Sequence, residues 1–312
     1  MMEKIDIVIL WVDGNDPVLN SKRALFGDEK AAMRQDVGGP TRYANLGEIY
    51  GCVRSINKFA SSFVRKIFIV TDNQDPHVES DLPVEVVDHT VIFRGYEDYL
   101  PVFNSCAIET LVHRIPGLTD HFLLMNDDFA FIRPCTLDDF FASDGRPKVY
   151  AKTYPVAVEK VLLRLSKLRD GYERTSFKRL LMNGSGLVGR HPFFFYLSHT
   201  PRTMRKSIYE EIFGEHPEYL VRNIRHRFRD PDQYEDQAMH YMALYDKGEL
   251  EIVDPSSHLL YITHWGHPDR VRKKLDKASA CSSFKFACFN SLDLATEQER
   301  KMVESWMEDV LK

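Results

Sequence analysis

An α/β fold with a mostly parallel sheet flanked by helices is predicted by three observations. Short β-rich apolar runs alternate with segments of helical periodicity through the first half of the chain. The runs are continuously apolar, as strands covered on both faces should be. Each run ends in polar, oxygen-bearing residues, and ligands of such sheets bind beyond the carboxyl ends of the strands.

In order, Ile5 to Val12 reads as a buried strand that breaks into the polar loop Asp13-Gly14-Asn15-Asp16-Pro17. The next forty or so residues read as irregular, with a turn at Gly38-Gly39-Pro40. Leu46, Ile49, Val53 and Ile56 recur at helical spacing and predict an amphipathic helix ending near Phe59. Lys66 to Val70 and Val84 to Val87 are further strands, closing in Thr71-Asp72-Asn73 and Asp88-His89. A helix from about Asn104 to His113 precedes the strand His121 to Met125, which delivers Asn126-Asp127-Asp128 at its end. The second half is predicted to carry a helix over Val158 to Leu168 and an aromatic strand over Phe193 to Leu197. Thr200-Pro201 then offers a cap and a first-position proline for a helix burying Met204, Ile208 and Ile212. Helices from Glu235 to Asp246 and from Thr296 to Leu311 complete a helical C-terminal part.

With 312 residues, 44% hydrophobic and 28% charged, the chain has enough material for a large core. A net charge near −5 gives no general reason to bind nucleic acid, so a small molecule or glycan is the expected partner. No apolar run reaches membrane-spanning length and no signal-like start is seen, which leads to the expectation of a cytoplasmic protein, with contact to the inner face of the cell membrane as its outer limit. The five cysteines are scattered, fitting neither a disulfide framework nor a metal knuckle.

Two adjacent acids at a strand edge suit Mg²⁺ or Mn²⁺, which prefer carboxylate oxygens and bridge to phosphates. An Asx turn or a helix cap explains Asp127 and Asp128 about as well. Asp13, Asp16, Asp72 and Asp88 also sit at strand ends and could converge with Asp127 on one crevice. Ser105, Glu109 and His113 are spaced by four and share a helix face, making Glu109 a candidate base or ligand. His199 precedes the Thr200-Pro201 cap, and Arg270-Val271-Arg272-Lys273-Lys274 forms a basic run that could meet an anionic polymer or membrane.

The motifs Ile9-Leu10-Trp11-Val12-Asp13-Gly14-Asn15-Asp16-Pro17, Arg65 to Gln74, Leu100-Pro101-Val102-Phe103-Asn104-Ser105-Cys106-Ala107-Ile108-Glu109, His113 to Leu118 and Asn126-Asp127-Asp128 occur in order. Together they closely resemble the Stealth family of sugar-phosphate transferases, which includes bacterial capsular polysaccharide phosphotransferases and the catalytic region of N-acetylglucosamine-1-phosphotransferase. A third block runs from His199-Thr200-Pro201 through Arg227-Phe228-Arg229 to Tyr245. Two departures stand out: Arg42-Tyr43-Ala44-Asn45 replaces Arg-Phe-Arg-Asp, and Asn290-Ser291 replaces the C-terminal Asn-Asp.

The resemblance implies a glycosyltransferase-A-like fold and transfer of a sugar 1-phosphate from a nucleotide diphosphate sugar, expected to be UDP-linked, to a glycan hydroxyl. It implies residues 1–150 as the nucleotide-sugar half and 151–312 as the acceptor and phosphate half, packed as one catalytic unit. Carried over, the catalytic residues are Asp13, Glu109, Asp127, His199 and Arg229, with Asp127 and Asp128 as metal ligands. Trp11, Gly14, Asp16, Arg54, Asp72, Asn73, Asn104, Ser105 and Arg227 are expected to bind substrate. The competing expectations are a metal-dependent glycosyltransferase making a glycosidic bond, and a non-catalytic glycan-binding subunit made conceivable by Asn45 and Ser291.

Overall fold

The chain begins with β1 (Ile5–Leu10) and helix α1 (Pro17–Phe26), followed by α2 (Glu48–Phe59), β2 (Val64–Thr71), β3 (Val84–Asp88), α3 (His89–Ile92), α4 (Ser105–Glu109), β4 (His121–Asn126) and β5 (Phe129–Phe131). The second half contributes β6 (Lys148–Pro155), α5 (Val156–Asp170), α6 (Phe177–Val188), β7 (Phe193–Leu197), β8 (Arg202–Arg205), α7 (Lys206–Glu215), α8 (Pro217–Ile224) and α9 (Asp236–Asp246). It closes with β9 (Glu251–Val253), β10 (Leu259–Ile262), α10 (Pro268–Ala280), β11 (Phe286–Phe289) and α11 (Glu297–Leu311). The computed structural model describes residues 3–27, 37 and 39–312, so Gly38 of the expected turn lies outside the described residues.

The main sheet has the order β3-β2-β1-β4-β8, parallel except for the last strand. Register explains why its polar ends meet: Leu10 lies opposite both Val70 and Asn126, and Thr71 opposite Asp88. Residues just past β1, β2 and β4 therefore emerge side by side. Because side chains alternate along a strand, Val8, Phe68, Phe122 and Leu124 pack into one buried cluster while Ile7, Ile9, Ile67, Ile69, Leu123 and Met125 pack into another. Helix α2 covers the second face with Ile49, Val53 and Ile56, so the sheet is sealed on both sides. The first cluster also takes in Leu197, Met204, Tyr209 and Tyr241, so both halves of the chain share it.

Three expectations are corrected. The stretch after Asp16 is helical, because the Asp16 carboxylate accepts from the Val18 and Leu19 amides and Pro17 occupies the first turn. The same start signal at Thr200-Pro201 does not open a helix: residues 202–205 pair antiparallel with β4, Arg202 opposite Leu124, and α7 begins at Lys206. A sheet edge with unpaired amides outcompeted a local cap. The helix expected to reach His113 stops at Glu109 and resumes as a 3-10 turn over Val112–Arg114. All five cysteines are free thiols, and four are buried.

Candidate active site

A cleft of about 590 Å³ opens at the carboxyl ends of β1, β2 and β4. Of the residues expected in the site, Trp11, Asp72, Asn104, Ser105, Glu109, Asp127, Asp128, His199 and Arg229 line it. The remaining six build its frame or lie elsewhere. A Cβ at Gly14 would fall 1.8 Å from the Tyr43 carbonyl oxygen, so glycine is what lets the first loop close on the Pro40–Tyr43 turn. Asp13 accepts from the Asn15 amide and Asp16 from α1 and Gln74, which are loop and cap duties. Asn73 adopts a left-handed φ of 52° and gives its amide to Asp88, so these two form a strand-end turn. Arg227 donates to the Asp98 and Leu100 carbonyls at 3.2 and 3.1 Å and braces the segment leading into α4. Arg54 points away altogether, paired with Glu308 of α11 at 2.6 Å.

Two groups of acids lie at the cleft, one at its edge and one beneath its wall. At the end of β4, Asp127 and Asp128 are half-buried, and no lysine or arginine among the described residues bonds to either. Burial, then Asp128 and Glu48, pushes the Asp127 carboxyl well above the usual range. Burial also raises Asp128, partly offset by hydrogen bonds from Asn290 and the Cys288 thiol at 3.3 and 3.4 Å. Its Oδ1 is buried without a partner. Glu48 and Asp293 line the same edge, and burial raises Glu48 too. Asp293 supplies an acid two residues past Ser291, whose own φ of 58° holds a tight turn.

The second group is fully buried. Glu109, Glu235 and Asp236 place carboxylate oxygens within 4.8 Å of one another. Gln237 donates to Glu109, and Tyr209 to Asp236. Burial, then the charge of Glu109, lifts Glu235 to about 7 and Asp236 well above its usual value, and Glu109 and Glu235 hydrogen-bond to each other. Arg229 donates to Ser105 at 2.9 Å beside this group; burial works against its charge, and Cys106, Glu235 and Glu109 sustain it. Gln237 and Tyr209 donate into these acids and Arg229 lies beside them, whereas among the described residues Asp127 has neither a bonded cation nor a side-chain donor, and Arg202 only partly offsets Asp128.

His199 stacks on Tyr261 at 4.7 Å between ring centres, with its Nδ1 buried and unpartnered. Burial and the nearby Arg202 hold it down to about 4, so it is a neutral imidazole at neutral pH.

Sequence reasoning missed Arg202, Glu235 and Asp293, and gave Glu48, within the second family block, no role in the site. Arg202 is nine-tenths buried, lines the cleft between the two acid groups, and leaves its Nε without a partner. Its signal was faint: an arginine three residues past His199 gains meaning only when β8 joins β4.

Comparisons with known sequences agree on one relationship. Residues 3–31 match conserved region 1 of Stealth proteins, and residues 42–149 match conserved region 2. The chain is 30% identical to the capsular polysaccharide phosphotransferase WcwK of Streptococcus pneumoniae, over 97% of this chain and 95% of that protein. It is equally similar, at 30% with 97% and 95% covered, to the receptor polysaccharide phosphotransferase WefC of Streptococcus gordonii. It is 32% identical to the exopolysaccharide phosphotransferase cps2G of Lactiplantibacillus plantarum, with 72% and 71% covered. Among solved structures, the galactosyltransferase LgtC with donor and acceptor sugar analogues superposes with a TM-score of 0.48 at 10% identity, covering 98% of this chain and 95% of that one.

Proposed function

The chain belongs to the Stealth family, and on that premise we propose that its cleft moves a sugar 1-phosphate from a UDP-linked sugar to a hydroxyl of a growing capsular or exopolysaccharide. The acceptor oxygen attacks the phosphorus that carries the sugar, the bond from that phosphorus to the nucleotide breaks, and nucleoside monophosphate leaves. The observation that supports this reading best is one cleft holding acids without a bonded cation, three arginines and a neutral histidine together.

The β4 edge fits a hard divalent cation: two half-buried carboxylates bear no bonded cation, and Asp128 Oδ1 is an orphaned acceptor. Mg²⁺ or Mn²⁺ held by Asp127 and Asp128 would neutralise the donor diphosphate. The buried Glu109 group fits an ion poorly, because Arg229 and shared protons already offset its charge. Its role is to fix Arg229 against Ser105, from where the guanidinium can reach the transferred phosphate. Arg202 approaches the same phosphate from β8. The acceptor's proton goes to His199, a neutral imidazole whose Nδ1 has no protein partner, while Glu109 is already engaged by Gln237. We assign the donor nucleotide to the first half, around Trp11 and Asp72, the acceptor to the second, and the reaction to the cytoplasm.

Purified protein with Mg²⁺, UDP-sugars and glycan acceptor is expected to give a phosphodiester resonance by ³¹P NMR with release of UMP. Release of UDP with a glycosidic product overturns the reading, and so does donor binding without turnover across a broad acceptor panel.

A further inference from the structure

Helix α5 inverts the usual distribution of polarity. A helix packed on a soluble protein buries its apolar stripe and shows water its charges. In α5 the one buried residue is an acid, Glu159, whose Oε2 has no partner. Val158, Val161, Leu162, Leu165 and Leu168 are instead exposed, Leu165 at 57% and Leu168 at 83%. At about 3.6 residues per turn, their spacing of three and four puts them on one outward face. Lys160, Arg164 and Lys167 line a flank of that face and Arg169 sits within it. Lys160 and Arg164 have no carboxylate partner among the described residues, and Lys167 and Arg169 reach only Glu173 and Asp170.

The other basic segment behaves normally. In α10, Val271 and Leu275 are 1% and 4% exposed, so Arg272 and Lys273 decorate a helix whose apolar side is already used. An apolar stripe facing solvent, edged by cations, is the pattern of a helix lying in a lipid interface.

We propose that α5 docks the protein on an anionic lipid bilayer, with Leu165 and Leu168 entering the acyl boundary and Lys160, Arg164 and Lys167 meeting acidic headgroups. A second copy of the chain is the poorer occupant, because a symmetric α5–α5 contact sets the same cations against each other. The helix leads within seven residues into Phe177, which lines the cleft, so docking holds the cleft mouth beside the bilayer.

The test is co-sedimentation of the full chain with vesicles of phosphatidylcholine alone or with phosphatidylglycerol. Binding is expected only with phosphatidylglycerol and to fall at least tenfold in half-molar salt. The double variant Leu165→Glu/Leu168→Glu should lose it at least tenfold, with melting temperature and turnover of soluble substrates unchanged. Lys160→Glu/Arg164→Glu, which leaves the stripe intact, should lose the salt-sensitive part. No binding by the parent chain, undiminished binding by the leucine variant, or a parent dimer that this variant dissociates would each overturn the proposal.

Discussion

The two acid groups of the cleft are built from the same chemistry and put to opposite uses. Asp127 and Asp128 project from a strand end into a half-open site with no bonded cation. Glu109, Glu235 and Asp236 are sealed in the interior beside Arg229, with Gln237 and Tyr209 donating into them. The lesson is that an acid cluster's function follows from what already balances its charge. An unbalanced edge has affinity left for a metal and a diphosphate, whereas a balanced interior has its affinity spent on holding an arginine still.

The sharpest way to break this contrast is Asp127→Asn. It should lower turnover by about a thousandfold or more while leaving the melting temperature within a degree or two, since the amide keeps the size and shape of the carboxyl and removes only a metal ligand. Full activity in that variant would end the metal assignment, and isothermal titration with Mn²⁺ should show the lost site directly.

Arg229→Lys comes next, with a loss of about a hundredfold in kcat, because an ammonium cannot present the planar fork that reaches Ser105 and a phosphate together. Arg202→Gln should act mainly on donor KM. If either change leaves both constants intact, the cleft does not hold the diphosphate where we place it.

Glu235→Gln tests the balanced group and should be milder, about tenfold in kcat. It carries a pH signature as well. Its folded value, raised to about 7, exceeds the unfolded carboxyl range, so the native state holds a proton that the unfolded chain releases. That stabilisation is complete in mild acid and is lost as pH rises through about 7. Thermal melts of the metal-free protein should therefore fall in temperature between pH 5 and 8, and the glutamine variant should flatten the fall. An unchanged slope would mean that Glu235 is charged throughout.

The smallest effect is expected at Arg54→Ala. Its partner Glu308 is solvent-exposed, so turnover should be unchanged and stability barely altered by differential scanning calorimetry. A large kinetic loss there would show that the outer face of α2 communicates with the cleft.

Much of this protein was readable from its sequence because the signals are local. Strand runs and the helices over 48–59, 236–246 and 297–311 depend on neighbours a few residues apart. Asn126-Asp127-Asp128 and Asp72 could be placed at a site edge because every strand of a parallel sheet delivers its end to the same side. Other residues are held locally for an equally plain reason. Asp13, Asp16 and Asn73 look like ligands in sequence, yet a polar side chain near a turn first satisfies the amides beside it.

Only the tertiary structure decided which acids are balanced. Glu235 lies 126 positions from Glu109 in the chain and 33 from Arg202, and no spacing rule links them. Their proximity follows from β8 pairing with β4 and α9 packing behind it. Sequence by itself determined the strands of the parallel core and the residues that gather at their ends. Burial and long-range charge, which depend on the whole fold, determined which of those residues remain free to act.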